Sequence, residues 1–354
     1  MTTDPIKMIE MYGSRVDEVL HSWFSRHARP IPLYPMAEYH MGWRDENLHP
    51  TRAPQGKMLR PLLCLLSFQV FNPDWEKALD FAAACELYHN HTLVFDDMQD
   101  GDKLRRGRPT VWSLWGIGQG INTGLLLGYL SHEFILHLEE KKISQEKILA
   151  LLHAYTKMTL ELAEGQSMDL DFETRQNVSM EEYLEMIGKK TGALISLCTY
   201  GGALLAQDNH AVASKFQAFG YKLGVAMQIR DDLVGIWGGS LQSGKEMAKD
   251  VWRRKKSFPV LKAFHTLQGE KRERLLHYYQ GFEEPNEKTV EQTVLLLEEG
   301  GGRQEGMALA SSLLEEAFKL LRSTQIPPEK LAALENFAHH AYQAIGTLRQ
   351  PIQQ

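Results

Sequence analysis

Proline is absent from the middle of the chain, between Pro109 and Pro259. Because proline breaks the interior of a helix, its absence permits long uninterrupted helices across this region. Apolar residues recur elsewhere at helical spacing, as at Leu79, Ala82 and Leu87. The alternation of apolar and polar residues that is typical of strands is scarce. The sequence therefore predicts an all-α fold.

The segment 29–56, in contrast, is rich in proline. Its prolines are Pro30, Pro32, Pro35, Pro50 and Pro54. Because only one amphipathic helix precedes this segment, we predict that residues 29–56 form an extended connector and not a domain boundary. We find no internal repeat and no low-complexity tract. We therefore predict a single all-helical domain over residues 1–354, with its helices around a deep central cavity.

The composition fits a globular enzyme, with 43% hydrophobic and 24% charged residues. A net charge of −6 argues against general nucleic-acid binding. Three cysteines, Cys64, Cys85 and Cys198, stand far apart in apolar helical contexts and are predicted to be small core residues. The N-terminus lacks a basic-then-apolar signal pattern, and the most apolar stretch, residues 192–206, is too short to span a bilayer comfortably. We expect a cytoplasmic protein without stable membrane insertion.

Two acidic clusters are the main candidates for a functional site. They are Asp96, Asp97 and Asp100, and, further along the chain, Asp231 and Asp232. On a helix, residues i, i+1 and i+4 present their side chains in one direction, and carboxylates this close repel unless a cation lies among them. A hard divalent cation such as Mg²⁺, shared with a phosphorylated substrate, meets that need. The second cluster would close the site from the opposite side. One isolated acidic cluster is also typical of a solvated helix face. The residues that flank the clusters therefore distinguish a metal site from a solvated surface.

Basic residues accompany both clusters. They are Lys57 and Arg60 upstream, Arg105 and Arg106 just after the first cluster, Lys190 between two helical stretches, and Lys245 and Lys255 after the second cluster. Arginine makes forked contacts with phosphate oxygens and is always charged. Each basic group alone is consistent with ordinary surface charge. Their joint occurrence, in this order with two acidic clusters, indicates a site for a diphosphate and a metal ion.

These motifs resemble those of the trans-isoprenyl diphosphate synthases, or polyprenyl synthetases, from about residue 56 to about residue 259. The motifs are Gly56-Lys57-x-x-Arg60-Pro61, Glu86-Leu87-x-His89, Asp96-Asp97-x-x-Asp100, Arg105-Arg106-Gly107, Gly165-Gln166-x-x-Asp169, Lys190-Thr191-Gly192, Gln228-x-x-Asp231-Asp232 and the segment 245–257. With Gly42-Trp43-Arg44-Asp45-Glu46 and the Asp-Asp-Leu-x-Gly form of the second cluster, the chain is most similar to bacterial geranylgeranyl diphosphate synthases.

The resemblance implies the isoprenoid synthase fold, usually as a homodimer. It implies a Mg²⁺-dependent prenyltransferase that joins an allylic diphosphate to isopentenyl diphosphate, giving a longer trans-prenyl diphosphate such as geranylgeranyl diphosphate. The implied Mg²⁺ ligands are Asp96, Asp97, Asp100, Asp231 and Asp232. The implied contacts to the allylic diphosphate are Arg105, Lys190, Lys245 and Lys255, and those to isopentenyl diphosphate are Lys57, Arg60, His89 and Arg106. Thr191 and Gln228 would complete the substrate site.

Four positions depart from the family pattern. Met58 stands where a basic residue is usual, Leu125 and Gly235 where Asp is common, and Gly239 where an acidic residue often follows. They leave two alternatives open: a terpene cyclase of the same fold, which does not use isopentenyl diphosphate, and a non-catalytic partner subunit. The retained Lys57, Arg60 and Arg106 favour elongation over cyclisation. The retained aspartates argue against a partner subunit.

Three residues before the first cluster are predicted to set the product length. Thr92 lies one helical turn before Asp96, about 5.4 Å along the axis, and Tyr88 lies one turn further. Because Thr92 is small, the growing tail should pass this level and exceed fifteen carbons. His91 is bulkier than a permissive residue, so Tyr88 is the candidate for the floor. We predict a product of twenty carbons, with twenty-five as the chief alternative.

Overall fold

The computed structural model describes residues 3–53, 56–238, 248–282 and 284–348. The predicted all-α fold is confirmed, with one two-stranded hairpin within the described residues. The helices are α1 (Pro5–Met8), α2 (Ser14–His27), α3 (Leu33–His40), α4 (Leu59–Gln69), α5 (Leu79–Gln99), α6 (Val111–Trp115), α7 (Ile117–Leu136), α8 (Gln145–Thr174), α9 (Met180–Ile187), α10 (Ala193–Ala206), α11 (His210–Trp237), α12 (Lys249–Trp252), α13 (Phe258–Thr266), α14 (Gly269–Tyr279), α15 (Glu287–Glu299), α16 (Gly302–Arg322) and α17 (Pro328–Gln343). The strands are β1 (Leu104–Arg105) and β2 (Arg108–Pro109).

Short helical turns of other kinds join some of these helices. Ile9–Gly13 and Gly188–Gly192 are π turns, and Trp75–Ala78 and His137–Glu139 are 3₁₀ turns. The π turn Ile9–Gly13 makes α1 and α2 one continuous helical stretch, in agreement with the predicted N-terminal helix.

The chain divides into two compact units, each made of three segments. The first unit comprises Met1–Thr156, Leu197–Phe216 and Pro327–Phe337. The second unit comprises Lys157–Ser196, Gln217–Ile326 and Ala338–Gln354. The proposal of a single domain over residues 1–354 stays a prediction.

The core of the first unit is built around α5, whose residues 79–88 are all buried. Three glycines of α7 allow α5 to pack closely against it. A Cβ at Gly120 would lie 2.6 Å from Met98 Sδ, one at Gly124 2.5 Å from the ring of Phe95, and one at Gly128 2.8 Å from His91 Nδ1. Since real side chains do not approach this closely, α7 must present glycine at these positions. The contact fixes the rotation of α5 about its axis, and with it the direction of the aspartates at its end.

Residues 29–56 are not extended throughout, so this part of the sequence prediction is wrong. The eight-residue helix α3 lies within the segment. Pro32 is its N-cap and Pro35 lies in its first turn, where the backbone N–H groups have no helical partner and a proline removes no hydrogen bond. After α3, Trp43 Nε1 donates to Asp17 Oδ1 of α2 at 2.8 Å. The segment is therefore folded against the N-terminal helix.

Two close contacts between glycines and backbone define the core of the second unit around the π turn 188–192. A Cβ at Gly165 of α8 would lie 2.5 Å from the backbone N of Lys190. A Cβ at Gly224 of α11 would lie 2.8 Å from Gly192 Cα. The π turn is thus packed against both helices without intervening side chains. This packing positions Lys190 and its neighbour Thr191.

Two predictions from composition can be compared with the structure. The three cysteines are buried and free, as predicted for core residues. Within the ranges that the structure describes, no helix is both long enough and apolar enough to cross a bilayer.

Candidate active site

The first aspartate cluster lies at the C-terminal end of α5. Asp100 is the C-cap residue, and its backbone N donates to the Asp96 carbonyl at 2.8 Å. A helix C-terminus carries a partial negative charge, which disfavours anions. Three carboxylates at this end therefore need a cation to balance them. Asp97 is buried, Asp96 is half-buried and Asp100 is exposed.

Arg105 supplies a protein cation to the buried member of this cluster. Its Nε donates to Asp97 Oδ1 at 2.6 Å. Burial raises the pKa of Asp97 to about 6, while the charge and hydrogen bond of Arg105 act in the opposite direction. Asp97 is therefore committed to a contact within the protein, and its carboxylate orients the guanidinium that was predicted to grip the allylic diphosphate.

Arg106 lies in the turn of the β1–β2 hairpin in a left-handed conformation. The pairing of Leu104 with Pro109 and of Arg105 with Arg108 leaves Arg106 and Gly107 as a two-residue loop. Their φ angles are 53° and 77°, as a type I′ turn requires. This conformation costs a residue other than glycine about 1 kcal/mol.

The side chain of Arg106 is accommodated by another glycine of the sequence motif. A Cβ at Gly56 would lie 2.7 Å from Arg106 Nη2. Strained backbone of the kind found at Arg106 is concentrated at functional sites. The hairpin turn sets the position of the Arg106 side chain, and Gly56 leaves room for it.

Arg60 and His89 are joined, with Nη1 of Arg60 lying 3.0 Å from Nε2 of His89. Because a guanidinium can only donate, His89 Nε2 is the acceptor and carries no proton. Burial and then the charge of Arg60 lower the pKa of His89 well below its usual value. The ring is therefore neutral with its proton on Nδ1. His89 was predicted to donate to phosphate, and only its Nδ1–H can do so in this arrangement.

Glu86 provides a buried negative charge beside these bases. Asn90 Nδ2 donates to Glu86 Oε1 and to the Glu86 carbonyl, both at 2.9 Å. Burial raises the pKa of Glu86, and the charges of Arg60 and Arg106 oppose that rise. Of the other residues in this motif, Lys57 is exposed and Met58 is buried in a left-handed conformation. The side chain at position 58 therefore points into the core, so Met58 adds to the packing and leaves no gap among the bases.

Asp232 is held by four donors in the second unit. Its Oδ1 accepts from Gln228 Nε2 at 3.1 Å and lies 3.5 Å from Lys255 Nζ. Its Oδ2 accepts from the hydroxyl of Tyr183 at 2.5 Å and from the backbone N of Phe258 at 3.4 Å. Only 1% of Asp232 is exposed. Both oxygens of this predicted metal ligand are thus engaged with the protein.

The neighbouring Asp231 is exposed, so the two adjacent aspartates have different environments. Gly235, one turn further on, lies against Asp250. A Cβ at Gly235 would lie 2.2 Å from Asp250 Oδ2. The carboxylate of Asp250 thus lies in the space that a side chain at position 235 would need. Gly235 stands where the general motif has a third Asp, and Asp250 supplies a carboxylate next to it.

Lys255 lies between the buried carboxylates. Burial lowers the pKa of Lys255, but Asp232 and then Asp250 raise it, and the net effect is a pKa above the usual value. Burial in turn raises the pKa of Asp250 to about 6, against the charge of Lys255. Lys255 is therefore a permanently charged ammonium held in place by aspartates, as a fixed diphosphate contact needs to be.

Lys190 and Thr191 connect the π turn to two carboxylates, those of Asp169 and Asp232. Lys190 Nζ donates to Asp169 Oδ2 at 2.6 Å. Thr191 Oγ1 donates to Gln228 Oε1 at 2.8 Å, and the amide of Gln228 donates onward to Asp232. The second unit therefore brings together all of its predicted site residues that the structure describes. Lys245 and Gly239 lie outside the described residues.

The three predicted chain-length residues have different surroundings. Thr92 is half-buried, and its Oγ1 donates to the His89 carbonyl at 2.8 Å. Tyr88 is buried, with its ring 5.1 Å from that of Tyr155. His91 contacts α7, where its Nδ1 lies 2.8 Å from the Gly124 carbonyl oxygen. The bulk of His91 is thus directed onto α7.

Sequence reasoning gave no role to four residues that contribute to these sites. They are Asp169, Tyr183, Asp250 and His40, the last of which lines a cavity together with Arg105 and Arg106. Asp169 belongs to a recognised motif and Asp250 stands between two groups of bases, so a sequence signal existed for both. Tyr183 and His40 reach the site only through packing, and no spacing in the sequence predicts that.

Protein side chains alone do not form a metal site within the described residues. Among them, no group of three or more His, Cys, Asp or Glu side chains is arranged to hold a metal ion by itself. Mg²⁺ commonly takes one or two carboxylates and completes its shell with substrate phosphates and water. The exposed and half-buried aspartates of the clusters fit a metal ion of that kind.

Comparison with known proteins gives one consistent family. The family model for polyprenyl synthetase matches residues 42–297. A (2E,6E)-farnesyl diphosphate synthase of Mycobacterium tuberculosis is 34% identical over 310 residues, which cover 87% of this chain and 85% of the relative. A geranylgeranyl diphosphate synthase of the same organism is 34% identical over 301 residues, covering 85% of each.

Solved structures agree with the sequence relatives. A polyprenyl synthetase from Streptomyces coelicolor has a TM-score of 0.87 at 33% identity and covers 96% of this chain and 99% of its own. A polyprenyl synthase from Caulobacter crescentus, solved in complex with calcium and isoprenyl diphosphate, has a TM-score of 0.80 at 25% identity and covers 96% and 97% of the two chains.

Proposed function

This chain belongs to the polyprenyl synthetase family and is a prenyltransferase, and from that premise we propose that it is a Mg²⁺-dependent synthase that makes geranylgeranyl diphosphate. It would condense isopentenyl diphosphate with an allylic diphosphate. The observation that carries the proposal is the cluster of Arg60, His89 and Arg106 around the buried Glu86, in addition to the two aspartate clusters. An enzyme that uses a single diphosphate has no need of this second basic group.

The metal ligands that we propose are the accessible aspartates, Asp96, Asp100 and Asp231. Asp97 and Asp232, which were predicted as ligands too, are committed to Arg105 and Lys255. We therefore assign them to orienting those bases. When bound, Mg²⁺ would neutralise charge that accumulates on the departing diphosphate. The calcium in the related Caulobacter structure supports a divalent ion.

The residues that receive the leaving diphosphate are Arg105, Lys190 and Lys255, with Lys245 as a predicted fourth. Each of the three described bases is paired with a buried or half-buried aspartate, so its position is fixed before substrate arrives. Fixed charges aimed at a developing anion lower the barrier most, because they need no reorganisation during the reaction. Loss of diphosphate leaves an allylic carbocation, and no protein nucleophile is required. The departing diphosphate is the proposed base for the final proton.

Isopentenyl diphosphate would be bound by Lys57, Arg60, His89 and Arg106. The neutral His89 accepts from Arg60 and so orients this guanidinium, while its Nδ1–H is the donor that is left for phosphate. Removing such binding groups raises KM for this substrate more than it lowers kcat.

The twenty-carbon product is the finer part of the proposal, since the relatives bear the names of both farnesyl and geranylgeranyl synthases. It rests on Thr92, a small side chain one turn before Asp96, and on the buried pair of Tyr88 and Tyr155 beyond it. A product of twenty-five carbons remains the chief alternative.

We also propose that the chain pairs with a second copy through α7. Four large apolar residues of α7 at i, i+4 spacing are exposed, and a fifth follows at its end: Ile117, Ile121, Leu125, Tyr129 and Leu136. No Asp, Glu, Lys or Arg stands between Ile117 and His132. A two-fold pair uses the same patch on both copies, so a single uncharged stripe is sufficient to form it. Tyr129→Glu should convert the dimer to a monomer in light scattering, and a wild-type monomer would refute the pairing.

The experiment that tests the function is incubation with dimethylallyl, geranyl or farnesyl diphosphate and Mg²⁺, each with and without isopentenyl diphosphate, followed by product identification. A longer prenyl diphosphate that forms only with isopentenyl diphosphate supports the proposal. A hydrocarbon or alcohol formed from one prenyl diphosphate alone would establish a cyclase. Absence of product under all conditions, from folded protein, would indicate the partner subunit.

A further inference from the structure

The end of α3 is tied to strand β2 by two residues, Tyr39 and Arg108. Arg108 Nη1 donates to the Tyr39 carbonyl at 3.2 Å, and its Nη2 donates to the Arg44 carbonyl at 2.6 Å. The guanidinium carbon of Arg108 lies 4.1 Å from the centre of the Tyr39 ring. The Tyr39 hydroxyl in turn donates to the Pro109 carbonyl at 2.7 Å. We call these four contacts the Tyr39–Arg108 clamp.

The hairpin that carries Arg105 and Arg106 needs an anchor of this kind. It consists of only two residue pairs, and an isolated hairpin is at best marginally stable in water. Arg108 is the direct partner of Arg105 across the hairpin. Hydrogen bonds of Thr110 to Lys103 and Asp102 fix only the base of the hairpin. The clamp thus fixes β2, the strand opposite Arg105, while the ion pair of Arg105 with Asp97 holds β1.

A small cavity extends the connection to the bases themselves. Tyr39, His40, Arg105, Arg106 and Arg108 line one cavity of about 30 Å³, together with Asp97. These side chains border one shared space, and Arg108 is also the strand partner of Arg105, so the position of Arg108 bears on both bases. A shift of Arg108 would displace Arg105 and Arg106.

We propose that Tyr39 and Arg108 are positioning residues, which set the placement of Arg105 and Arg106 for diphosphate binding without touching substrate. The proposal rests on the proposed function. The guanidinium of Arg108 contacts two backbone carbonyls and an aromatic ring. Tyr39 is 2% exposed, and its hydroxyl is already engaged with the Pro109 carbonyl.

The alternative is that the clamp supports folding alone. Steady-state kinetics distinguishes this structural role from a positioning role. The protein with Mg²⁺ is compared as wild type, Arg108→Ala, Arg108→Lys and Tyr39→Phe, with KM measured for each substrate. Arg108→Ala should raise KM for isopentenyl diphosphate about tenfold or more, because small displacements of positioned groups are costly. Arg108→Lys should recover only part of the loss, since an ammonium lacks the planar fork that bonds two carbonyls and stacks on a ring. Tyr39→Phe removes one hydrogen bond and keeps the ring, so its effect should be smaller.

Arg175→Ala is the matched control, because Arg175 lies 5.4 Å over the ring of Phe172 in the second unit and has no proposed role in the reaction. Its KM values should equal those of the wild type. An unchanged KM for isopentenyl diphosphate in folded Arg108→Ala, or an equal rise in Arg175→Ala, overturns the clamp proposal. If Arg108→Ala does not fold, the test rests on Arg108→Lys and Tyr39→Phe. A wild-type KM for isopentenyl diphosphate in both variants overturns the clamp proposal. A wild-type protein that never uses isopentenyl diphosphate refutes the proposed function instead.

Discussion

Arg105 and Asp97 form a charged hydrogen bond of 2.6 Å between Nε and Oδ1, with the carboxylate almost completely buried. In the second unit, Lys255 Nζ forms a longer ion pair of 3.5 Å with Oδ1 of the buried Asp232. In each cluster one buried aspartate therefore holds a base, and the more accessible aspartates, Asp96, Asp100 and Asp231, are the ones that we propose as metal ligands. Removing a buried partner leaves an uncompensated charge, whereas removing an exposed ligand affects the chemistry without disturbing the core.

The first prediction follows from that difference. Asp96→Ala and Asp231→Ala should each lower kcat by orders of magnitude and raise the Mg²⁺ concentration needed for half-maximal activity. Their melting temperatures should stay close to that of the wild type, because neither side chain is buried. Asp208→Ala, which removes a highly exposed carboxylate paired with Lys147, is the control and should keep full activity. Near-wild-type turnover in either cluster variant would contradict the assignment.

The second prediction concerns Arg60, which was proposed to hold isopentenyl diphosphate. Arg60→Ala should raise KM for isopentenyl diphosphate strongly and leave KM for the allylic substrate nearly unchanged. The reason is that binding common to ground and transition states appears in KM. Initial rates measured against each substrate in turn give the two constants. An equal rise in both would mean that Arg60 does not distinguish the two diphosphates.

The third prediction tests the contact of Gly235 with Asp250. Gly235→Ala places a methyl group 2.2 Å from the present position of Asp250 Oδ2, so the carboxylate must move. We expect a loss of about 1–3 kcal/mol in the free energy of unfolding, typical of overpacking, and a fall in kcat. Gly118→Ala is the matched control, because no atom lies within 4 Å of the added Cβ. That variant should unfold at the same or higher urea concentration.

Local patterns in the sequence carry some of the candidate site residues, and packing between distant segments carries the others. Asp96, Asp100, Arg105 and Lys190 could be proposed from the sequence because the helical spacing of acids and the order of the basic motifs are local properties of the chain. Tyr183 could not, because its contact with Asp232 spans 49 positions and depends on packing between α9 and α11.

The other omissions have related causes. The prolines of residues 29–56 suggested an extended segment, yet Pro32 and Pro35 fall at the one end of a helix that tolerates them. Gly235 was noted as a departure from the general motif, and nothing in the sequence places Asp250 beside it. The first case depends on where the prolines fall within a helix, and the second on a contact between separate segments of the chain.

The fourth prediction concerns acid stability through His40. Burial, followed by the charges of Arg106 and Arg105, lowers the pKa of His40 from its usual 6.5 to about 3. The unfolded chain therefore takes up a proton as pH falls below 6.5, while the folded protein does not until about 3. Stability is full above pH 6.5 and falls between those values, by about 1.4 kcal/mol per pH unit for one such histidine.

Urea unfolding at pH 7.5 and pH 5.0 measures this loss. His40→Gln should show a smaller difference between the two pH values than the wild type. His153→Gln, which replaces an exposed histidine of α8, should behave as the wild type does. An identical pH dependence in His40→Gln and wild type would mean that His40 does not carry the linkage.

The last prediction concerns product length. The side chain of Thr92 falls on the same face of α5 as Asp96, one turn below it, and its hydroxyl is bonded to the His89 carbonyl. A large aromatic ring at position 92 should therefore block the growing tail. Thr92→Phe should shorten the main product to fifteen carbons or fewer. Tyr88 lies one turn further and is packed edge-on against Tyr155, so Tyr88→Ala should open space and lengthen the product.

His91 supplies the matched control for this series, because its ring is directed onto α7, where Gly128 leaves room for it. His91→Gln should therefore change the chain length less than either variant. Chromatography of the products after removal of diphosphate gives the distribution for each enzyme. If Thr92→Phe leaves the distribution unchanged while His91→Gln alters it, the tail follows the α7 side of α5 and the proposed path is wrong.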